Sequence, residues 1–267
     1  MPTDNQRVKR HRAILELLAG QGEVLVEGLA RRFGVDLVTI RRDLAWLERD
    51  GLLRRTHGGA VASRIGRIEL AFQKKSETRG REKAAIAQAV AAMVRPGMAI
   101  SLDTRTTTLE VAREVAGTPG LKVLTPSLAI VSALYPHDNI EIVLLGGVVR
   151  RGSPDLYGVL TEDNVRRFTV DMAILGADAV SPDGLFTTDA GVSRVSQAMI
   201  KASRTAVLVI DSGKFGAAAF VRFATWDEVD HVVTDEGAPP DARAWLEKAV
   251  ARVTYVPVQA QQDAAIP

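Results

Sequence analysis

The sequence predicts a two-part α/β protein: a small three-helix head, then a larger body built on a mostly parallel sheet. Three observations predict it. Apolar residues recur at helical spacing three times before residue 50, and a short basic stretch with a Gly-Gly tip follows. Seven short apolar runs then alternate with helical segments between residues 99 and 256. Charge is also split along the chain. Residues 1–67 hold 13 Lys and Arg against 8 Asp and Glu, leaving +5 there and −3 in the rest of a chain whose net charge is +2. A basic head on a slightly acidic body suits a polyanionic partner.

The remaining composition sets bounds. The 267 residues are enough for two domains, one of them large. Apolar content of 46% and charged content of 25% are those of a soluble globular protein. No apolar run is long enough to span a bilayer, and Met1 to Arg12 is too polar for a secretory signal, so a cytoplasmic protein with no membrane partner is expected. The absence of cysteine excludes disulfides, thiolate zinc sites and cysteine nucleophiles. The four histidines, at 11, 57, 137 and 231, lack metal-ligand spacing. No metal and no cofactor are expected.

In the head, Arg7 to Ala19 reads as a first helix stopped by Gly20 and Gly22. Val24–Val26 is extended, and Glu27–Phe33 is a second helix burying Leu29, Ala30 and Phe33. Gly34 supplies the left-handed turn, and Asp36 caps a third helix that ends at Arg49-Asp50-Gly51. With Ile40 placed inside, about 100° per residue puts Leu37, Leu44 and Leu47 on the same side. Arg42 then lies opposite, with Thr39 and Arg41 on the flanks. Trp46 also faces outward and is expected to cover the wing or a partner subunit. Leu52 to Ala60 forms a small hairpin beside this helix.

That order of elements is a winged helix-turn-helix, with its third helix shaped for a major groove. Thr39, Arg41 and Arg42 are the candidates for groove contact, since an arginine pairs with guanine O6 and N7 in a bidentate way. Arg54, Arg55, His57 and Gly58 are the candidates on the wing, where phosphate contacts fix register. The competing reading, a merely solvated basic helix face, does not account for the turn, cap and wing occurring in sequence. Operator DNA is the expected partner, and paired half-sites call for a homo-oligomer, a dimer or tetramer.

Residues 61–80 are polar and mixed and read as a linker between a head of residues 1–60 and a body of residues 81–267. Arg81 to Val94 is a helix ended by Arg95-Pro96-Gly97. Strands are expected at 99–102, 122–124, 140–145, 172–175, 206–210, 231–233 and 252–256. Helices are expected near 106–116, 127–134, 158–167, 192–203 and 240–250. Such alternation implies a Rossmann-like sheet covered on both faces, with ligands at the carboxyl ends of its strands.

The loops after those strands hold the chemistry. Asp103, Thr104, Arg105, Thr106, Thr107 and Thr108 follow one strand and open a helix, a natural anion site because helix N–H groups there are free. The bland alternative, that Thr106 only caps the helix, does not need three consecutive threonines. Ser127, Gly146, Gly147, Arg150, Asp178 and Lys214 sit at other strand ends. Together these residues suit a phosphorylated polyol, cations for the phosphate and carboxylates for the hydroxyls.

Two sets of motifs carry a resemblance. Phe33-Gly34-Val35, Thr39-Ile40-Arg41-Arg42-Asp43-Leu44, Leu47-Glu48, Gly51-Leu52 and His57-Gly58-Gly59-Ala60 resemble the DNA-binding domain of DeoR-family transcriptional regulators. Leu145-Gly146-Gly147, Leu175-Gly176-Ala177-Asp178 and Asp211-Ser212-Gly213-Lys214-Phe215-Gly216 resemble that family's effector domain, which is similar in fold to ribose-5-phosphate isomerase and glucosamine-6-phosphate deaminase. The chain departs from the pattern at four places. Asp36 stands where Ser is usual, Arg105 where Leu-Asp-Ser-Gly-Thr-Thr-Thr has glycine, Pro126 where Thr-Asn-Ser has asparagine, and Ser196 where a lysine is usual.

The resemblance implies a ligand-controlled regulator, a repressor of a sugar or polyol catabolic operon that responds to a phosphorylated sugar-like metabolite. The alternative is a sugar-phosphate isomerase or deaminase carrying a DNA-binding appendage. Proton transfer between sugar carbons needs a positioned acid and base, and Ala179 and Ser196 stand where such groups are wanted. A non-enzymatic sensor is the expectation.

Overall fold

The computed structural model describes residues 4–63, 72 and 74–258. Residues 64–71 and 73 of the 61–80 linker expectation lie outside the described residues. The chain divides into two compact units, one up to Lys75 together with Arg151–Ser153, the other from Ser76 onward.

The first unit holds α1 (Asp4–Gln21), β1 (Glu23–Leu25), α2 (Val26–Phe33), α3 (Leu37–Arg49), β2 (Leu53–Arg55) and β3 (Gly59–Ala62). Its small sheet has the order β1-β3-β2, all antiparallel. Ile14, Leu18, Leu29, Ile40, Leu44, Leu47 and Leu53 close one apolar core beneath it. Two boundaries differ from expectation. Helix α1 runs through Gly20 to Gln21, and the stop falls on Gly22, whose φ of 79° is the left-handed value that ends a helix. The expected strand at Val24–Val26 is shifted, because Val26 already opens α2 by donating its N–H to the Gly58 carbonyl at 2.9 Å.

The first long helix of the second unit is α4 (Gly80–Ala91), shorter than the expected Arg81–Val94. The strands of the unit's main sheet are β4 (Ala99–Leu102), β5 (Leu121–Thr125), β6 (Ile140–Leu144), β9 (Met172–Leu175), β12 (Ala206–Ile210), β14 (His231–Asp235) and β15 (Arg252–Val256). They pair in parallel in the order β15-β14-β12-β9-β4-β5-β6. Helices α5 (Thr106–Val115), α6 (Leu128–Leu134), α7 (Val159–Val165), α8 (Ala190–Lys201) and α9 (Pro240–Ala249) connect them. Residues 206–210 are buried throughout, as a strand covered on both faces requires.

The chain leaves β4 toward β5 on one side and leaves β9 toward β12 on the other, so the topology switches between β4 and β9. Crevices at such a switch are where open α/β sheets bind ligands. The loops after these two strands, 103–108 and 176–178, therefore define the candidate site. Smaller pieces were not evident in the sequence: the β7 (Val148–Val149) and β8 (Leu156–Tyr157) hairpin, and a three-stranded sheet of β10 (Ala179–Ser181), β11 (Gly184–Thr187) and β13 (Val221–Ala224).

Candidate functional site

The DNA-facing candidates are built on α3. Asp36 caps it, accepting from the Thr39 N–H at 2.6 Å, and that bond holds the Asp36 carboxyl below the usual carboxylate range. The Thr39 hydroxyl also donates to Asp36, at 3.1 Å, so in this structure its proton is held by the cap. Arg41 and Arg42 are exposed. The inner side carries Ile40, Leu44 and Leu47, as the periodicity predicts, whereas Leu37, expected with them, is exposed at the first turn; the inner side also carries a charge, since Asp43 is 3% exposed. Asp43 takes Arg10 Nε at 2.6 Å and His11 Nε2 at 2.8 Å from α1. This ion pair locks the recognition helix to the first helix. Helical spacing alone gave no sign of it, since all three residues look like surface charge in the sequence.

Arg54, Arg55, His57 and Gly58 are all exposed on the β2–β3 hairpin. Arg55 is fixed by its own N–H to Glu48 Oε1 at 2.8 Å. Gly59 lies directly on the Val24 carbonyl, where a Cβ has no room. Trp46 does not cover the wing. It packs 5.1 Å from His11, with the guanidinium carbons of Arg7 and Arg49 at 6.0 and 5.8 Å from its ring centre. Trp46 thus joins α3 to α1, extending the Asp43 contact outward.

In the second unit the loop after β4 folds around its own carboxylate. Asp103 is buried and accepts four hydrogen bonds: from the Arg105 N–H at 3.1 Å, Thr108 Oγ1 at 2.8 Å, the Gly176 N–H at 2.8 Å and Arg105 Nη1 at 2.5 Å. It ties β4 to β9 across the topological switch and has no oxygen left to hold a ligand hydroxyl, contrary to the sequence expectation. Thr107 and Thr108 are buried, and Thr106 is the first residue of α5 rather than its cap. Thr104 lies just under the surface. Arg105, the N-cap residue, turns its guanidinium to within 5.4 Å of the Phe223 ring centre.

The other candidates are similarly engaged. Ser127 caps α6 through Ile130 N–H. The Gly146 carbonyl accepts from Thr161 Oγ1 at 2.7 Å, and Gly147 packs against the same side chain. Arg150 is clamped in bidentate fashion by Asp155, at 2.8 and 2.6 Å, with Asp189 at 3.9 Å. Burial alone lowers the Arg150 pKa, but the bond and charge of Asp155, then Asp189 and Asp178, hold it above its ordinary value. Asp178 accepts from Thr187 Oγ1 and the Thr188 N–H, both at 2.9 Å.

The structure thus brings Asp103, Arg105, Thr108 and Gly176 together, and gathers Arg150 with Asp155, Asp178 and Asp189. Lys214 belongs to a third group that the sequence did not single out. There Arg79 Nη1 donates to Ser212 Oγ at 2.9 Å and Arg79 Nε lies 3.5 Å from Asp211. Lys83 is buried beside them; burial lowers its pKa, Asp211 opposes that and Lys214 adds to it. These partners lie some 130 residues apart in sequence, so no local spacing announces them. Among the described residues no cluster of His, Asp or Glu could hold a metal ion, and no helix is long and apolar enough to cross a membrane.

Known proteins with the same sequence pattern fall in line with these two units. The DeoR-like helix-turn-helix domain matches residues 10–65, and the DeoR C terminal sensor domain matches residues 78–236. The glycerol-3-phosphate regulon repressor of Escherichia coli K12 is 34% identical over 236 residues, covering 88% of this chain and 92% of that protein. The transcriptional regulator GlpR of Haloferax volcanii is 35% identical over 243 residues, covering 90% and 94%. The transcriptional repressor AccR of Agrobacterium fabrum is 35% identical over 235 residues, covering 87% and 91%. Among solved structures, ribose 5-phosphate isomerase from Methanocaldococcus jannaschii overlays 50% of this chain and 53% of its own, with TM-score 0.36 and 19% identity.

Proposed function

The chain belongs to the DeoR family of transcriptional regulators, and from that premise we propose that it represses a sugar or polyol catabolic operon under control of a phosphorylated sugar-like metabolite. The observation that carries this reading is the head: exposed Arg41 and Arg42 on a capped helix, beside a hairpin presenting Arg54, Arg55, His57 and Gly58. Guanidinium groups so placed read base edges from α3 and grip phosphates from the wing. DNA of two half-sites implies that the chain acts as a homo-oligomer.

The second unit is the sensor. Its effector binds at the carboxyl ends of β4 and β9, and the name of the glycerol-3-phosphate regulon repressor supports a phosphorylated polyol as the class. Control of DNA binding requires the effector to prefer the arrangement that binds DNA weakly. Sensing rather than catalysis is supported by the engaged carboxylates: Asp103 and Asp178 both accept internal hydrogen bonds, as structural rather than proton-transferring groups do.

The experiment is a pair of assays on Arg42→Ala. Duplexes enriched by repeated selection on the purified protein supply the DNA. The variant should lose about 1–3 kcal/mol of specific binding, roughly tenfold to 150-fold in Kd, while the melting-temperature shift given by sugar phosphates stays unchanged. Equal losses in both assays contradict the division of labour.

A further inference from the structure

Arg105 occupies a position where the family pattern described above carries glycine, and its surroundings are unusual. Its Nη1 donates to Asp103 Oδ2. Its stem lies over Gly176, where a Cβ would come within 2.6 Å of Arg105 Cδ. The Phe223 ring covers the guanidinium. Arg105 Nε and Nη2 are buried and make no hydrogen bond with any described residue. A buried N–H without an acceptor is costly, more so on a charged group. The asymmetry is informative: one edge of the guanidinium is satisfied and held, and the adjoining Nε–Nη2 edge is not.

That edge has a chemical preference. Nε–H and Nη2–H point the same way, a two-pronged donor that matches an anion offering two oxygens at once, a phosphate ester or a carboxylate. A single neutral hydroxyl offers one oxygen to both prongs, a poorer geometric match than two oxygens of an anion. The side chain is 12% exposed, close enough to solvent for a rotamer change to turn this edge outward. It also stands at the start of α5, where unpaired helix N–H groups add to the attraction for an anion.

We propose that Arg105 is the residue that selects the effector: its Nε–Nη2 edge takes two oxygens of an anionic group on a sugar-like ligand. Without ligand, Asp103 holds the guanidinium by Nη1 with Phe223 beside it, and turning the Nε–Nη2 edge outward releases that hold. The proposal rests on the sensor reading above and deepens it. Where the family pattern lets an anion approach backbone at glycine, this chain interposes a side chain that demands a charged, two-oxygen partner.

The test is calorimetric titration of the full chain with matched sets of three to six carbons. Each set holds a polyol, its monophosphate and the corresponding aldonate, for example glycerol, glycerol 3-phosphate and glycerate. Wild type should bind an anionic member of one set and not its neutral polyol. Arg105→Lys keeps the charge but loses the paired donors, and should weaken that binding at least tenfold, as should Arg105→Gly. The member that loses affinity, phosphate or aldonate, identifies the anion. Should Arg105→Gly melt early, Arg105→Lys decides alone, because it preserves bulk and charge. Undiminished binding by Arg105→Lys overturns the role of Arg105 while the sensor reading stands. Failure of every anionic member to bind wild type overturns the sensor reading itself.

Discussion

Asp43 shows how a single residue sets the head's architecture. It sits on α3 yet faces inward, unlike the exposed Arg42, holding Arg10 and His11 of α1 in a buried cluster. Removing one member of a buried pair strands the other charge and typically costs about 3–5 kcal/mol. Asp43→Ala should therefore lower the melting temperature of the head sharply, whereas Arg42→Ala, on the exposed face, should leave it within about 0.5 kcal/mol of wild type; thermal denaturation followed by circular dichroism compares them. His231 gives a pH prediction. Burial first, and Arg252 second, hold it below the ordinary imidazole value. The unfolded chain therefore takes up a proton that the folded chain resists. Stability is flat above about pH 6.5, the unperturbed value, and falls as pH drops below it. The loss in melting temperature between pH 7.5 and 5.5 should be smaller in His231→Gln than in wild type. An equal loss assigns the acid sensitivity elsewhere.

Among the elements, the wing hairpin separates geometry from contact. Gly58 has open space around a built Cβ, while at Gly59 the Val24 carbonyl occupies that space. Gly59→Ala must push β3 off β1, where Gly59 pairs with Leu25, and should cost a few kcal/mol and take DNA binding with it. Gly58→Ala should leave the melting temperature alone. Any loss of DNA affinity in that variant then reports close approach of the wing tip to a phosphate, which anisotropy with labelled duplex measures directly. The elements also show what periodicity conveys. All seven apolar runs read as strands are the seven strands of the parallel sheet; the inner strands β9, β12 and β14 are buried throughout, β9 and β12 as continuous apolar runs, while the edge strands β6 and β15 are only partly buried. The β7–β8 hairpin and the β10-β11-β13 sheet went unseen, since two to four residues such as Val148–Val149 carry no period. The candidate site was legible only as a set of loops. Which atoms remain for a ligand depends on hydrogen bonds such as Asp103 to Gly176, across 73 residues, and Arg79 to Ser212, across 133, that no local pattern encodes.

At the scale of the whole molecule, function requires that two units of different chemistry influence one another. The head exposes guanidinium groups that are proposed to meet DNA, and the second unit has Arg105 and the start of α5, the proposed effector site, at a topological switch. The chain enters the sensor at a strained residue: Arg79 is the one non-glycine among the described residues with positive φ, 54°, and it reaches the loop after β12 through Ser212 and Asp211. Arg79, near the start of the second unit, is thus fastened to the carboxyl edge of that unit's own sheet, where the ligand is proposed to bind. Coupling between the two sites is reciprocal by thermodynamic necessity: if the effector weakens DNA binding by some factor, DNA weakens effector binding by the same factor. The most direct measurement is therefore the Kd for a selected duplex, by fluorescence anisotropy at fixed salt, with and without the sugar phosphate that raises the melting temperature. The account predicts at least a tenfold weaker Kd when that compound is present at saturation. An unchanged Kd, with the compound demonstrably bound, contradicts it.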